Sequence, residues 1–180
     1  YVDRPPTASN LIPAMREVRP TVMLSVPLVI EKVYRAQILG RFGSSKFWGP
    51  LYKRTFFRKL LHGMAGKRLY KTFGGRLRFF GIGGAKRDRD AEQFLLEAKF
   101  PYAIGYGLTE TAPLLAGAVP HKVRLGSTGP ILPGNQYRID HPNEAGDGEL
   151  VMKTPCVMDG YYKNPELTAG VLTDDGLFRP

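Results

Sequence analysis

This sequence of 180 residues has little cysteine and no long hydrophobic run. Its single cysteine, Cys156, excludes an internal disulfide, so nothing indicates an oxidising compartment. The longest apolar run, Thr21 to Ile30, is interrupted by Pro27 and is too short to cross a bilayer as a helix. The P-loop pattern G-x-x-x-x-G-K-[S/T] is absent. We therefore expect a soluble, cytoplasmic chain whose membrane contact, where there is any, is peripheral on the inner face.

Acidic residues are missing from one long segment. Residues 35–78 contain twelve lysines and arginines and no aspartate or glutamate, whereas the rest of the chain is nearly balanced. This segment therefore accounts for the net charge of +10. Three interpretations stay open: a solvated helical face that pairs with acids elsewhere, a contact with anionic membrane lipid, or a contact with the phosphates of a nucleotide cofactor. Trp48, Phe56 and Phe57 among the basic residues favour the second.

The first 120 residues alternate between helix and strand patterns. Helices are predicted over residues 7–18, 28–39, 50–72 and 88–99, and strands over residues 21–26, 76–82 and 102–106. The β-branched strand 21–26 is predicted to be buried, and helix 50–72 is predicted to turn four residues inward: Phe56, Leu60, Leu61 and Met64. This alternation is typical of a parallel α/β sheet.

After residue 120, glycine and proline become frequent and the apolar runs become short. Residues 134–140, 148–153 and 157–162 are predicted to form antiparallel strands joined by turns. The expected fold class is α/β: part of a parallel-sheet α/β subdomain followed by a small antiparallel β subdomain. We place the first over residues 1–120 and the second over residues 121–180, with the boundary near His121.

The run Phe79 to Ala85, F-F-G-I-G-G-A, leads from a predicted strand through glycines to a helix. Ligands bind outside the carboxyl ends of parallel strands, and glycine lets the backbone approach a flat ring or a phosphate closely. Gly83, Gly84 and Ala85 are therefore candidate binding residues. Taken alone, the run favours a tight strand-to-helix turn over a binding loop.

The run Tyr102 to Pro113, Y-A-I-G-Y-G-L-T-E-T-A-P, concentrates several chemical groups in a few residues. Tyr106 offers a flat face for a base, with room left beside it by Gly105 and Gly107. Hydroxyls that could reach phosphate oxygens come from two threonines, Thr109 and Thr111. Glu110 offers a hard oxygen ligand for Mg²⁺.

At this point the sequence resembles the adenylate-forming superfamily, which includes acyl-CoA synthetases, luciferases and the adenylation domains of peptide synthetases. Y-G-L-T-E-T-A-P resembles its signature, and Gly83–Ala85 resembles its adenine-contacting loop. Elements similar to those of the family follow in order at residues 126–134, 148–166 and 175–178. Upstream, residues 19–21 and 26–34 resemble the long-chain fatty acyl-CoA synthetase branch.

The resemblance implies a role for each matched residue. Backbone around Gly84 and Ala85 would contact adenine, Tyr106 would stack on it, Thr109 would bind phosphate and Glu110 would hold Mg²⁺. Gly83, Leu108 and the region of Ala112 would lie toward the acyl pocket. The implied reaction joins a fatty acid to ATP and passes the acyl group to coenzyme A. Thr109 and Glu110 are its candidate catalytic residues, and ATP, Mg²⁺ and CoA are the expected cofactors and co-substrate.

The sequence also departs from the family. The family's main phosphate loop and its C-terminal lysine domain have no counterpart here, Pro180 stands where the family has Thr, and Leu28 stands where many members have Arg. We therefore expect an internal fragment that is inactive alone and whose exposed sheet edges favour dimerisation.

Two other functions remain alternatives. One is an adenylate-forming ligase that activates an aryl or amino acid. The other is a basic nucleic-acid-binding module, suggested by the pI of 9.8. Because the sequence contains no DNA- or RNA-binding motif, we expect no nucleic-acid partner.

Overall fold

A computed structural model describes residues 8–25, 30, 31, 34, 35, 52, 54–83, 88–173 and 175–179. The elements, numbered along the chain, are α1 (Ala8–Val18), β1 (Val22–Ser25), α2 (Thr55–Thr72), β2 (Phe79–Ile82), α3 (Arg89–Glu97), β3 (Tyr102–Tyr106), a 3₁₀ turn (Thr109–Thr111), β4 (Ala116–Ala118), β5 (Gln136–Asp140), β6 (Glu149–Lys153) and α4 (Pro165–Val171). Most of the predicted helix 28–39 lies outside the described residues.

Four strands form one sheet in the order β1-β2-β3-β4. β1 and β2 are parallel, with Val22 opposite Phe79, and β2 and β3 are parallel, with Phe80 opposite Tyr102. The remaining strands, β5 and β6, form an antiparallel pair. The predicted α/β class, with a parallel sheet followed by a small antiparallel sheet, is therefore confirmed.

The chain divides into two compact units. The first consists of Tyr1–Ile104 and Ala118–Thr128, and the second of Gly105–Gly117 and Gly129–Pro180. In the first unit, three aromatic side chains pack on one another: the ring of Phe73, directly after α2, stacks on that of Phe80 in β2 at 5.4 Å, and Phe100, in the loop before β3, contacts both edge-on. Offset and edge-on packing of this kind suits aromatic rings and stabilises the core beyond simple burial.

Helix α3 begins where the sequence predicts. The side chain of Asp88 accepts hydrogen bonds from the backbone N–H groups of Asp90 and Ala91, at 2.8 and 3.2 Å. Such a cap satisfies donors that a helix leaves without a partner at its start, and the acids of the first turn interact favourably with the helix dipole.

The predicted inward face of α2 is wrong for three of its four residues. Leu61 is buried, but Phe56, Leu60 and Met64 are 75%, 54% and 55% exposed. The buried face instead consists of Leu61, His62, Gly66 and Leu69. A search for apolar periodicity does not identify this face, because it contains a histidine and a glycine and neither residue is strongly apolar.

The prediction that the first strand is buried is also wrong. Val22 and Leu24 in β1 are 61% and 81% exposed. β1 lies at the edge of the four-stranded sheet, so it has a strand partner on one side only within the described part of the chain. A run of β-branched residues predicts a strand, but it does not distinguish an edge strand from a central one.

In the second unit, β5 pairs with β6 along Gln136↔Lys153 to Asp140↔Glu149. The inner residues of this unit include Leu115, Val151, Met152 and Phe178, all at most 2% exposed. The strand predicted at residues 157–162 is absent from the structure, and a helix follows instead: α4, capped by the side chain of Asn164, which accepts from the Leu167 N–H.

No helix among the described residues combines the length and the hydrophobicity that crossing a membrane requires.

Candidate functional site

The structure places most of the candidate residues at or just after the ends of strands. Gly83 follows β2 directly, is half-buried and belongs to the first unit, while Gly84 and Ala85 lie outside the described residues. The run Gly105–Glu110 belongs to the second unit. It contains the last two residues of β3, a two-residue link and the start of the 3₁₀ turn. This arrangement gathers Gly105, Tyr106, Gly107, Leu108, Thr109 and Glu110 in one short segment.

Two glycines in this segment are closely packed, and one of them, Gly107, is required by its contact with backbone atoms. A Cβ atom on Gly107 would overlap the backbone carbonyl oxygen of Pro113, and one on Gly105 would lie 2.6 Å from Cδ1 of Leu114. The chain folds back on itself here, because the N–H of Leu115 donates a 2.8 Å hydrogen bond to the carbonyl of Tyr106. Only glycine at position 107 permits this close approach.

The threonines of the 3₁₀ turn have different environments. Thr111 is buried, and its hydroxyl donates to the Leu108 carbonyl at 3.0 Å and accepts from the Leu108 N–H at 3.2 Å. Thr111 therefore holds the turn together, and the prediction that it offers a hydroxyl to phosphate is wrong. Thr109 is exposed, as a phosphate-binding hydroxyl must be. After the turn, Ala112 adopts a left-handed φ of 51°, an uncommon conformation that is found more often at functional sites.

Glu110 is held from two sides within the second unit. Its backbone carbonyl accepts a 2.7 Å hydrogen bond from the N–H of Met158. Its carboxylate oxygen Oε1 accepts a 2.9 Å hydrogen bond from the hydroxyl of Tyr161. The hydrogen bond to this carboxylate raises the pKa of the Tyr161 hydroxyl above its usual value, so the hydroxyl stays protonated and remains a donor.

Helix α4 holds Tyr161 in turn. The hydroxyl of Thr168 accepts a 2.9 Å hydrogen bond from the Tyr161 N–H and donates a 2.9 Å hydrogen bond to the Asn164 carbonyl. Gly160, with a φ of 151°, lies close against Thr168, since a Cβ atom there would be 2.8 Å from Thr168 Cγ2. The start of α4 and the loop before it therefore fix the backbone from which Tyr161 reaches Glu110.

The donor set at Glu110 suits a magnesium ion that is shared with phosphate. Tyr161 engages Oε1, and no hydrogen bond within the described part of the chain involves Oε2, so this second oxygen can face a cation. No group of three or more His, Cys, Asp or Glu side chains converges within the described ranges. Mg²⁺ is commonly bound by one or two carboxylates together with substrate phosphates and water, so one carboxylate fits such a site.

A model of the family described as AMP-binding enzyme matches residues 1–162. The chain belongs to the AMP-binding enzyme family. The resemblance found in the sequence is thereby confirmed at the level of the family. The match extends from the first residue through the run 102–113 and on to Tyr162, so it contains Glu110 and Tyr161.

Among curated proteins, this family member is 33% identical to long-chain-fatty-acid–CoA ligase 4 of Saccharomyces cerevisiae, over 97% of this chain and 27% of that protein. It is 29% identical to long chain acyl-CoA synthetase 1 of Arabidopsis thaliana, over 89% of this chain and 28% of that protein. The chain therefore spans between a quarter and a third of the length of these relatives.

Two solved structures of other proteins match this chain in fold. The ATP-bound RpMatB-BxBclM chimera B1 matches with a TM-score of 0.62 and 25% identity, over 95% of this chain and 29% of that one. A benzoate CoA ligase from Burkholderia xenovorans LB400 matches with a TM-score of 0.64 and 20% identity, over 98% of this chain and 31% of that one.

Sequence reasoning missed Tyr161 and Thr168 as parts of this site. Residues 157–162 are predicted to form a strand and no helix is predicted after them, although Asn164 followed by Pro165 and Glu166 has the composition of a helix start: a capping side chain, proline in the first turn and an acid beside it. That signal predicts α4, but it does not predict the contact of Tyr161 with Glu110, since the two residues are 51 positions apart.

Proposed function

We propose that this chain supplies part of the ATP site of a long-chain fatty acid–CoA ligase, with Tyr106, Thr109 and Glu110 in the roles that the family resemblance implies. The observation that carries the proposal is the fixed carboxylate of Glu110. It stands beside the exposed Thr109, in a turn that follows a strand end shaped by Gly107. A carboxylate and a hydroxyl fixed next to each other suit a metal–phosphate group.

In the proposed reaction, the fatty-acid carboxylate attacks the α-phosphorus of ATP and pyrophosphate leaves. The thiol of CoA then attacks the acyl carbon of the adenylate, and AMP leaves. Tyr106, half-buried at the end of β3, would stack on adenine, and the hydroxyl of Thr109 would donate to a phosphate oxygen. Glu110 would hold Mg²⁺, which supplies charge stabilisation at the phosphates when bound.

Two observations support a fatty acid as the substrate. Both curated relatives named above are long-chain enzymes, and the sequence match to each extends over most of this chain. At about 30% identity, the names of these relatives favour long-chain fatty acids as the substrate class. Gly83, Gly84, Ala85 and the run 102–113 would contact ATP, whichever acid is activated.

The test is ATP–pyrophosphate exchange by the protein at its full natural length, with short, long and aromatic acids in parallel. We expect exchange that depends on long-chain acids and falls about 100-fold or more in Glu110→Gln, because a metal-binding charge is lost. Glu144→Gln is the matched control, since Glu144 is exposed in the turn between β5 and β6. Exchange with another acid class would change the proposed substrate, and no exchange with any acid would refute the proposal.

The 180-residue chain alone is proposed to be inactive, because relatives with this chemistry are much longer proteins, of which it spans 27% and 28%. Fatty-acid-dependent release of pyrophosphate from the purified 180-residue chain would contradict this.

A peripheral contact with anionic membrane is the second candidate, and one face of α2 favours it. Phe56, Leu60 and Met64 are more than half exposed and recur every four residues, so they lie on the same face. Lys67 and Lys71 continue that face, and α2 contains no acidic residue. Exposed apolar side chains flanked by lysine are typical of helices that lie in the membrane interface.

Vesicle sedimentation tests this contact. We expect the protein to sediment with vesicles that contain phosphatidylglycerol and to remain in solution with phosphatidylcholine alone, because the lysines require an anionic surface. Phe56→Ser with Leu60→Ser should abolish sedimentation. Tyr137→Ser is the control, since Tyr137 is 58% exposed in the second unit. Sedimentation that does not distinguish the two lipids would refute the candidate.

A further inference from the structure

Two neighbouring tyrosines in the loop between β6 and α4 have opposite environments. Tyr161 is half-buried and its hydroxyl donates to the Glu110 carboxylate at 2.9 Å. Tyr162 is 87% exposed, and its ring contacts the ammonium group of Lys163 at 5.3 Å. The structure thus distinguishes an inward tyrosine, bonded to a candidate metal ligand, from an outward one on the same short segment.

We infer that Tyr161 is a positioning residue: its hydroxyl fixes the carboxylate of Glu110 so that the other oxygen, Oε2, meets the metal–ATP complex. This inference rests on the proposed function, because it assigns to Glu110 the metal that the proposal gives it. It adds a residue from a different segment of the chain, and it states what that residue controls, namely the strength with which metal and ATP reinforce each other's binding.

Glutamate has a long, flexible side chain. An unrestrained glutamate side chain samples many rotamers, and holding it in one of them upon binding costs conformational entropy. A hydroxyl that already holds Oε1 removes part of this cost before the ligand arrives. Groups that orient a metal ligand through a hydrogen bond influence metal affinity strongly, although they do not touch the metal.

Tyr161 can serve in this way because its own backbone is fixed. The N–H of Tyr161 donates to the hydroxyl oxygen of Thr168. The Thr168 hydroxyl in turn donates to the carbonyl of Asn164, the residue that caps α4. The backbone of Met158, three positions earlier, donates to the carbonyl of Glu110 at 2.7 Å. Two hydrogen bonds therefore join the loop before α4 to the 3₁₀ turn: the side-chain bond from Tyr161 and the backbone bond from Met158. Removal of the Tyr161 hydroxyl breaks only the side-chain bond.

The experiment measures the affinity for ATP by calorimetry, with excess EDTA and with saturating Mn²⁺, in the protein at its full natural length. The ratio of the two affinities reports how much metal strengthens ATP binding. We expect Tyr161→Phe to lower this ratio about tenfold and to leave the metal-free affinity unchanged. Tyr162→Phe, the matched control, should behave as the unchanged protein. Thermal unfolding of both variants checks that each is folded.

Each outcome decides the matter. A ratio in Tyr161→Phe equal to that of the unchanged protein overturns the inference, and so does an equal loss of ATP affinity with and without metal, which a purely structural role would produce. Glu110→Gln is measured alongside. If Glu110→Gln lowers the ratio and Tyr161→Phe does not, only the positioning role fails. If Glu110→Gln keeps the full ratio, both the positioning role of Tyr161 and the metal role of Glu110 in the proposed function are refuted.

Discussion

The Nδ1 atom of His62 in α2 lies 2.8 Å from a carboxylate oxygen of Glu97 in α3, and both side chains are almost fully buried. Arg58 and Gln93 each donate to the same carboxylate at 2.7 Å. The other ring nitrogen of His62 is 2.7 Å from the hydroxyl of Tyr52. A polar network thus links α2 to α3 inside the first unit, and its charges make the stability of that unit depend on pH.

The direction of that dependence follows from the pKa values. Burial lowers the pKa of His62 and outweighs the opposing effect of the Glu97 carboxylate. Burial alone would raise the pKa of Glu97, but the hydrogen bonds from Arg58 and Gln93 and the charge of Arg58 lower it overall. Both groups therefore bind protons more weakly in the folded chain than in the unfolded one, so acid favours unfolding.

We therefore predict that the free energy of unfolding is constant at about pH 8. It should decrease below about pH 6.5, where His62 is protonated preferentially in the unfolded chain, and decrease further below about pH 4.3, where the same holds for Glu97. Urea unfolding at a series of pH values measures this. His62→Gln, which cannot titrate, should remove the upper part of the fall, while the control His121→Gln at an exposed histidine should not. A stability that rises on acidification from pH 7 to pH 5 would contradict the prediction.

Two glycines of α2 should respond in opposite directions to alanine. No atom lies within 4 Å of a Cβ atom built on Gly63, whereas one built on Gly66 would lie 2.5 Å from Cβ of Ala98. Gly63→Ala should stabilise the protein by about 0.5–1 kcal/mol through helix propensity. Gly66→Ala should destabilise it by about 1–3 kcal/mol through overpacking. Chemical denaturation measures both, and equal effects would show that the crossing of α2 and α3 is not as close as described.

Gly107 is the third position where alanine is informative. A Cβ atom there overlaps the Pro113 carbonyl, so Gly107→Ala must displace the segment that carries Thr109 and Glu110. We predict a loss of stability of about 1–3 kcal/mol together with a loss of ATP affinity. Gly170→Ala in α4 is the control, because nothing lies within 4 Å of its Cβ position. An unchanged ATP affinity in Gly107→Ala would show that this segment does not take part in nucleotide binding.

Elements whose signals are local were predictable from the sequence. The sequence predicts β3 with its observed ends, Tyr102–Tyr106, and a helix over residues 88–99 where α3 lies, because these elements are indicated by neighbouring residues. The inward face of α2 was not predictable. His62 and Gly66 face inward because Glu97, the last residue of α3, and Ala98, the residue after it, lie opposite them, and these contacts are a property of the tertiary structure.

The same distinction applies to the candidate site. The composition of Tyr102–Pro113 singles out Tyr106, Thr109 and Glu110, and these remain predictions as binding residues. The structure alone shows that Thr111 is occupied in holding its turn and that Tyr161 reaches Glu110. Neither fact has a signal in the sequence, because a hydroxyl looks the same whether it faces a phosphate or a backbone carbonyl.

The most direct test of the account is a crystal structure of the protein at its full natural length with ATP and Mn²⁺, in which anomalous scattering locates the metal. The account predicts a metal peak roughly 2.0–2.2 Å from a carboxylate oxygen of Glu110, with the adenine ring against Tyr106 and the Tyr161 hydroxyl still bonded to the other oxygen. A metal–ATP complex bound away from Glu110, with adenine remote from Tyr106, would contradict it.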